Sequence, residues 1–263
     1  MQLVTQPDRS AGAEFLDGDV VAAYVHRPDY PAGLYDALVD LMPKPGRVLD
    51  IGTGPGKIAR SLAARVKEVV AVDPSAAMLA LGRSLDADEH PNIVWTEAFA
   101  EDLTFHDGSL DLAVAGAAIH WTDAPRLFPK LARALSPGAS VAIVDGDAPT
   151  AAPWLEAYQL VIRTWVERLG GTWNGTAHVA LTTAHLRWLD VEGRESFTET
   201  VRQPLDDLIA CQHSRATWSR ALMGPLAETF DADLRTALQG WTSNGFLEFD
   251  RRTRLTWGWA LSV

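Results

Sequence analysis

Between residues 47 and 145, short apolar runs alternate with longer stretches whose apolar positions recur at helical spacing. The runs 47–51, 68–72, 93–97, 110–115 and 140–144 are short and rich in Val, Ile, Leu and Ala. That pattern predicts strands buried on both faces. The stretches 57–65, 74–85 and 124–135 read as the helices between them. Strands alternating with helices in this rhythm predict a parallel sheet covered on both sides.

Ahead of this core, residues 19–25 look helical until Arg-Pro-Asp-Tyr-Pro interrupts them, and Pro31 can open a second helix lined by Leu34, Leu38 and Leu41. The polar start of the chain, up to about residue 18, is expected to be loose. After Asp145 the alternation stops. Residues 150–192 read as mainly helical and hold Trp154, Trp165, Trp173 and Trp188. A strand is expected at 195–202, helices from Leu205 and near 231–241, and a strand pair within 246–261. The resulting division is an N-terminal segment 1–45, a core 46–149, a helical cap 150–192 and a C-terminal part 193–263.

Composition narrows the partners. With 34 acidic against 23 basic residues the net charge is −11, which disfavours nucleic acid, whose phosphates are bound mainly by Lys and Arg. The one dense basic cluster, Arg251, Arg252 and Arg254, reads as a solvated strand edge. Cys211 is the only cysteine, so neither an internal disulfide nor a four-cysteine zinc site can form. No run is long and apolar enough to span a bilayer, and the start of the chain lacks a signal-peptide pattern. A cytoplasmic protein is the expectation.

The strongest local signal is Asp50-Ile51-Gly52-Thr53-Gly54-Pro55-Gly56, directly after the first strand. Glycines there let a ligand approach backbone amides. Lys57 stands where a dinucleotide-binding loop carries its third glycine, which argues against a pyrophosphate below the turn. Asp50 makes the mouth of that strand acidic, which would repel phosphate but suits an ammonium group. Asp73, at the end of the second strand, can accept hydrogen bonds from ribose hydroxyls, or it can cap the following helix, as Ser75 also could.

Four segments in order, VLDIGTGPGKIARSLA, VVAVDPSAAMLALGR, FAEDLTFHDGSLDLAVAGAAIHW and LARALSPGASVAIVD, resemble the successive motifs of class I S-adenosylmethionine-dependent methyltransferases. YVHRPDYPAGLYDALVD and AAIHW resemble the trans-aconitate methyltransferase-like branch. The resemblance implies a Rossmann-like α/β fold: a mostly parallel seven-stranded sheet, helices on both faces and a helical cap insertion. It implies S-adenosyl-L-methionine as cofactor, S-adenosyl-L-homocysteine as product and a small-molecule acceptor. Asp50, Gly52, Thr53, Gly54 and Gly56 would form the methionine side of the site, and Asp73 would take the ribose. Pro74, Met78, Phe99, Ala100 and Glu101 would surround adenine, and the Ala117 carbonyl would meet the cofactor's amino group. Many relatives carry Asp where this chain has Phe99, so the adenine amino group needs another acceptor, such as Glu101, or water.

Methyl transfer from a sulfonium needs mainly alignment and exclusion of water. A base is required only if the acceptor must lose a proton, and His120 is the candidate, with packing beside Trp121 as the alternative. Tyr24 and Tyr30, from a lid over the cofactor, and Trp121, His213 and Arg215 are the expected acceptor contacts. Arg215 could clamp a carboxylate or sit in an exposed ion pair. Trp154, Trp165, Trp173 and Trp218 belong to the core or wall the acceptor pocket. Oxygen is the favoured acceptor, with nitrogen, carbon or cofactor binding without transfer as alternatives. No metal site is expected, and a nicotinamide oxidoreductase is disfavoured by Lys57.

Overall fold

The structure is a computed structural model that describes residues 18–171 and 183–262. The expected loose start and Trp173 lie outside those residues. The chain enters through α1 (Gly18–Ala23), a 3-10 turn (Tyr24–His26) and α2 (Ala32–Asp40). Then β1 (Arg47–Ile51), α3 (Lys57–Ala63), β2 (Glu68–Asp73), α4 (Ala76–Asp86), β3 (Ile93–Glu97), β4 (Leu110–Gly116), α5 (Ala124–Ala134) and β5 (Leu135–Asp145) follow. These five strands are parallel, in the spatial order β3-β2-β1-β4-β5. The order reverses between β1 and β4, and the crevice above such a switch point is where open α/β sheets bind ligands.

Alternation along β1 sets the two layers. Val48 packs with Leu34 and Leu38 of α2 and Ile58 and Leu62 of α3. Leu49 and Ile51 point the other way, onto Leu127, Phe128 and Leu131 of α5. Asp50 shares the Val48 face, so its carboxyl lies under α3 and meets the Ala59 amide.

The second half of the chain adds β6 (Pro149–Ala151), α6 (Leu155–Arg168), β7 (Leu189–Pro204), α7 (Leu205–Ala210), α8 (Arg220–Met223), α9 (Leu226–Leu238) and β8 (Phe246–Ala260). The expected strand pair at 246–261 is one 15-residue strand. β8 runs antiparallel to β5, and both β6 and β7 pair with it. Among the described residues the sheet therefore has eight strands, one more than the seven that the resemblance implies; the expected pair has become one strand and the three-residue β6 is added. β7 begins at Leu189, ahead of the expected 195, across a register shift between Val191 and Gly193. Gly193 is required there, since a Cβ would lie 2.2 Å from the Trp257 ring.

The reading of Arg251, Arg252 and Arg254 as a solvated edge is corrected by this topology. β8 has partners on both sides, and Arg251 is buried at 1% exposure against Glu199 of β7. Arg254 does stay at the surface, 2.7 Å from Asp145.

The tryptophans after residue 150 form a third apolar cluster. Trp154 and Trp165 pack with Leu205, Leu208, Phe230, Leu234, Leu247 and Phe249. Trp165 Nε1 donates to Asp233 at 2.9 Å, Trp154 Nε1 donates to the Glu248 carbonyl at 2.9 Å, and Trp218 stacks on Phe230. Such paired polar tips let large rings be buried without an orphaned donor. The helix α6 thus shares one core with α7 and α9.

Candidate functional site

A cavity opens above the ends of β1, β2 and β4. Its floor is the glycine loop. Gly52, Gly54 and Gly56 all have left-handed φ values, 61°, 54° and 77°. For two of them the space is closed as well. A Cβ on Gly52 would come within 2.5 Å of the Ala118 side chain, and one on Gly56 within 2.4 Å of the Trp95 ring. Gly56 therefore serves the packing under the loop, and it does not line the cavity.

Two carboxylates hold the loop. Asp50 is 1% exposed, and one of its oxygens accepts from Thr53 Oγ1 at 2.6 Å and from the Ala59 amide at 3.0 Å. The expected acidic lip is thus turned inward. Burial raises the Asp50 carboxyl to about 7, against the pull of those two donors. Asp73 receives the Gly54 amide at 2.9 Å on one oxygen and the Ser75 amide at 2.8 Å on the other. Ser75 caps α4 by accepting from the Met78 amide, so Asp73 is left to face the cavity. Burial raises the Asp73 carboxyl too, while its two amide donors oppose this.

Pro74 and Met78 continue the wall on the β2 side, and Phe99, Ala100 and Glu101 line it after β3. Glu101 is buried and accepts from the Asp123 amide at 3.4 Å. Ala117 follows β4 with a left-handed φ of 52°, and its amide is tied to the Val144 carbonyl at 2.8 Å. A non-glycine residue held at positive φ is a strain that persists only where surrounding structure enforces it.

The opposite wall comes from the segment after α1. Tyr24, Arg27, Pro28 and Tyr30 line the cavity. Burial holds the hydroxyls of both tyrosines above their ordinary range, hence protonated. Lys57 Nζ reaches the carbonyls of Arg27 and Pro28 and lies 3.2 Å from Asp29. Arg251 donates to the Pro28 and Asp29 carbonyls as well as to Glu199. His26 is 2.9 Å from Asp207 of α7, away from the cavity. The residue that ruled out a third loop glycine thus has a positive use: Lys57 fastens this segment.

At the far end Arg27 and Arg215 converge on Asp147. The Arg27 guanidinium lies over the Tyr24 ring at 4.3 Å, donates to Ser214 Oγ at 2.6 Å and stands 3.4 Å from Asp147. Arg215 is 3.6 Å from Asp147 and donates to Gln212 Oε1 at 2.9 Å. Cys211 lies beside them in the lining. Arg27, Asp147, Lys57, Cys211 and Arg251 had not been singled out as site residues. Lys57 and Arg27 stand in segments that carry the resemblance, but nothing local in the sequence marks Asp147, Cys211 or Arg251 as cavity residues.

Besides Gly56, two expected residues, His120 and His213, do not line the cavity. His120 sits in a 3-10 turn (Ile119–Trp121) with its ring 4.9 Å from that of Trp121, and it is Trp121 that lines the space. Near His120, His185 is buried; burial, then His120, pushes its imidazole down to about 4. His213 is 2% exposed, between the Trp218 carbonyl and Asp231, both at 2.7 Å. It ties two segments of the helical cluster. Trp154, Trp165 and Trp218 are core residues of that cluster and do not wall the pocket. Among the described residues no group of His, Cys, Asp and Glu is placed to hold a metal ion, and no helix is long and apolar enough to cross a membrane.

The cavity lining carries charges of both signs: Asp50, Asp73, Glu101 and Asp123, and Arg27, Lys57, Arg215 and Arg251, the last four on or against the wall made or fastened by the N-terminal segment. A parallel sheet with its switch point under a glycine loop, an acid ending β2 and an antiparallel closing strand define the Rossmann-like fold of class I methyltransferases.

Comparison with known proteins agrees with that assignment. Residues 48–138 match a family described as a methyltransferase domain. An uncharacterised methyltransferase of Mycobacterium tuberculosis is 38% identical over 128 residues, 48% of this chain and 50% of that protein. Methyltransferase pgmE of Aspergillus terreus is 32% identical over 140 residues, 49% of this chain and 41% of that one. The chain spans half the length or less of these two relatives. A solved structure of a provisionally assigned type II methyltransferase from Anaeromyxobacter dehalogenans superimposes with a TM-score of 0.69 at 27% identity, covering 90% of this chain and 99% of that one.

Proposed function

We propose that this protein transfers a methyl group from S-adenosyl-L-methionine to an oxygen atom of a small-molecule acceptor. The observation that carries the reading is that Asp73, Glu101 and Asp123 line the same cavity as the glycine loop. A dinucleotide would bring two phosphates among these acids. The methionine cofactor instead brings a sulfonium and an ammonium with a single carboxylate, a net positive charge, and its adenosine supplies a diol for Asp73. The alignment to methyltransferases over residues 48–138 supports the same choice.

When bound, the cofactor supplies an electrophilic methyl carbon and departs as S-adenosyl-L-homocysteine. The residues of this chain bind, align and keep out water. Asp73 accepts from the ribose hydroxyls while it braces the Gly54 amide. Pro74, Met78 and Phe99 enclose the adenine, with the Ala100 amide and Glu101 at its polar edge. Gly52, Thr53, Gly54 and the Ala117 carbonyl hold the methionine end. Tyr24, Tyr30 and Trp121 close the space over the acceptor, and the Lys57 and Arg251 contacts hold the lid there. Such positioning supplies most of what a displacement with a good leaving group requires.

The test is a calorimetric titration with S-adenosylhomocysteine and, separately, with NAD, followed by a transfer screen using methyl-labelled cofactor. Binding of the first without the second is expected. NAD binding in its place would overturn the reading.

A further inference from the structure

The two faces of the β7–β8 pair differ in a way that exposure to water alone does not explain. Arg194, Ser196 and Thr198 of β7 share one face with Arg252 and Arg254 of β8, and all five are exposed. That is how an antiparallel sheet meets solvent. By strand alternation the opposite face carries Phe197, Trp257 and Trp259. Phe197 and Trp257 pack against the core that α2 helps to form, yet both stay half-buried. Trp259, two residues further along the same face, is 49% exposed. Exposed aromatic surface rimmed by polar residues marks an interaction site.

Between this aromatic face and α2 lies a groove that shares no lining residue with the cavity above β1. Helical spacing puts Gly33, Ala37 and Leu41 in a row, with Asp36 and Asp40 beside them, along the flank of α2 that makes one wall. Glu195, Phe197, Leu255 and Trp257 make the other. Gly33 leaves the Phe197 ring open to the groove, since a Cβ there would come within 3.2 Å of it. No lysine, arginine or histidine lines the groove, whereas three carboxylates do. Asp36 is matched by Arg65 at 2.6 Å. Asp40 and Glu195 have no ion pair among the described residues.

An aromatic floor under an acidic rim selects a cation on an alkyl stem. Ring faces attract ammonium and guanidinium groups. The stems of Lys and Arg lie along apolar surface while their heads reach charges beyond it. Gly33, Asp36, Asp40 and Glu195 are all exposed, so the groove is open, whereas a small ligand is normally enclosed over most of its surface. A side chain carried by a larger partner suits such a groove; an anionic lipid surface or a nucleic acid would meet its acids unmatched. We propose that the groove docks a lysine- or arginine-bearing segment of a partner protein, its head groups at Asp40 and Glu195 and its stems against Phe197 and Trp257. The docking site stands apart from the methyltransferase reading and does not depend on it.

The test is fluorescence anisotropy of end-labelled hexapeptides, alternating Lys-Val, Ser-Val or Glu-Val, with the full chain. Salt at about 0.15 M screens attraction to the net charge of −11 beyond roughly 8 Å. The Lys-Val peptide should bind about tenfold more tightly than Ser-Val, and Glu-Val should not bind. Asp40→Asn combined with Glu195→Gln, both at exposed positions, should weaken Lys-Val binding about fivefold or more. Phe197→Leu should weaken it about twofold to fivefold by removing the ring face. Asp88→Asn combined with Glu89→Gln removes the same charge beyond α4, toward the opposite edge of the sheet, and should leave binding unchanged. Urea unfolding checks that each variant is folded. Four results would overturn the proposal: Ser-Val binding as tightly as Lys-Val; equal weakening by the Asp88 and Glu89 changes; lysine amide binding as tightly as the hexapeptide, which marks a small-molecule site; or a dimer in sedimentation that comes apart in the Asp40 and Glu195 variant, which gives the groove to a second copy.

Discussion

Replacing Asp73 with Asn tests the heart of the proposed cofactor site, because the change is nearly isosteric and removes only charge and one acceptor. In the native loop the two carboxylate oxygens take the Gly54 and Ser75 amides at 2.9 and 2.8 Å. Asn can offer one oxygen, so its NH2 faces one of those amides and leaves it unpaired. A hydrogen bond to a charged group contributes about 1.5–3 kcal/mol, so a stability loss of roughly 2 kcal/mol is expected in urea unfolding. If the same oxygens also take the ribose hydroxyls, binding loses about 3 kcal/mol more, which is about 100-fold in Kd. Loop loosening alone could also weaken binding, so the deciding assay compares S-adenosylhomocysteine with its 2′,3′-dideoxy analogue. The native protein should prefer the diol by about 100-fold, and Asp73→Asn should shrink that preference to a few-fold. A preference that survives the substitution would refute ribose recognition by Asp73 and leave it as a brace of the loop.

Asp50 gives a pH signature. Its carboxyl, raised by burial from 3.8 to about 7, holds a proton in the native state across a range where the unfolded chain has released it. Stability should therefore be greatest below pH 4 for this group and fall as pH rises toward 7, by up to roughly 4 kcal/mol. Asp50→Asn keeps an oxygen for Thr53 and Ala59, and unfolding curves between pH 4 and 8 should lose that slope; an identical slope in the variant would remove Asp50 as its source. Gly56→Ala forces a Cβ to 2.4 Å from Trp95 at a φ of 77° and should destabilise by about 3 kcal/mol from strain and overpacking together. Gly108→Ala, at φ 66° with open space around it, should cost only about 1–2 kcal/mol, and equal losses would show that crowding at Trp95 is unimportant. His120→Ala should leave S-adenosylhomocysteine affinity unchanged and lower turnover by less than about tenfold, since His120 does not line the cavity; a loss above about 100-fold would mark it as the general base.

The parallel half of the fold was legible because its strands are nearly continuous apolar runs and its helices follow at fixed spacing. β1 and β3 fall at the expected residues. The antiparallel half was harder to see. β7 alternates between exposed and half-buried positions and is rich in Glu, Thr and Arg, so periodicity reads only its middle. β8 carries a buried arginine that, in sequence, looks like the marker of an exposed edge; only Glu199 opposite and the carbonyls of Pro28 and Asp29 make its burial possible. In the site, the loop and Asp73 were visible because their chemistry is local to one strand end. The far wall was not, since Arg27, Asp147 and Arg215 meet from segments well over 60 residues apart, as |i−j| of 120 between Arg27 and Asp147 illustrates. His213 was misleading for a related reason: a histidine near a substrate-side motif can be satisfied wholly by a backbone carbonyl and a half-buried carboxylate.

The contact from Arg251 to the lid has a consequence for how such a protein can be divided and diversified. The segment that aligns with methyltransferases, 48–138, contributes the glycine-loop floor of the cavity, yet the wall segment over it precedes that stretch and one of the two cations fastening it lies on β8, well after it. An excised core would keep the glycine loop and Lys57 but lose the wall segment itself and its Arg251 mooring. Conversely, every residue of the Arg27, Asp147 and Arg215 cluster falls outside the aligned segment. On the proposed function, the flanking regions can therefore change by drift while the glycine loop and its carboxylates stay as they are. The part that aligns then speaks for the donor, and the parts that do not align are where to look for the acceptor.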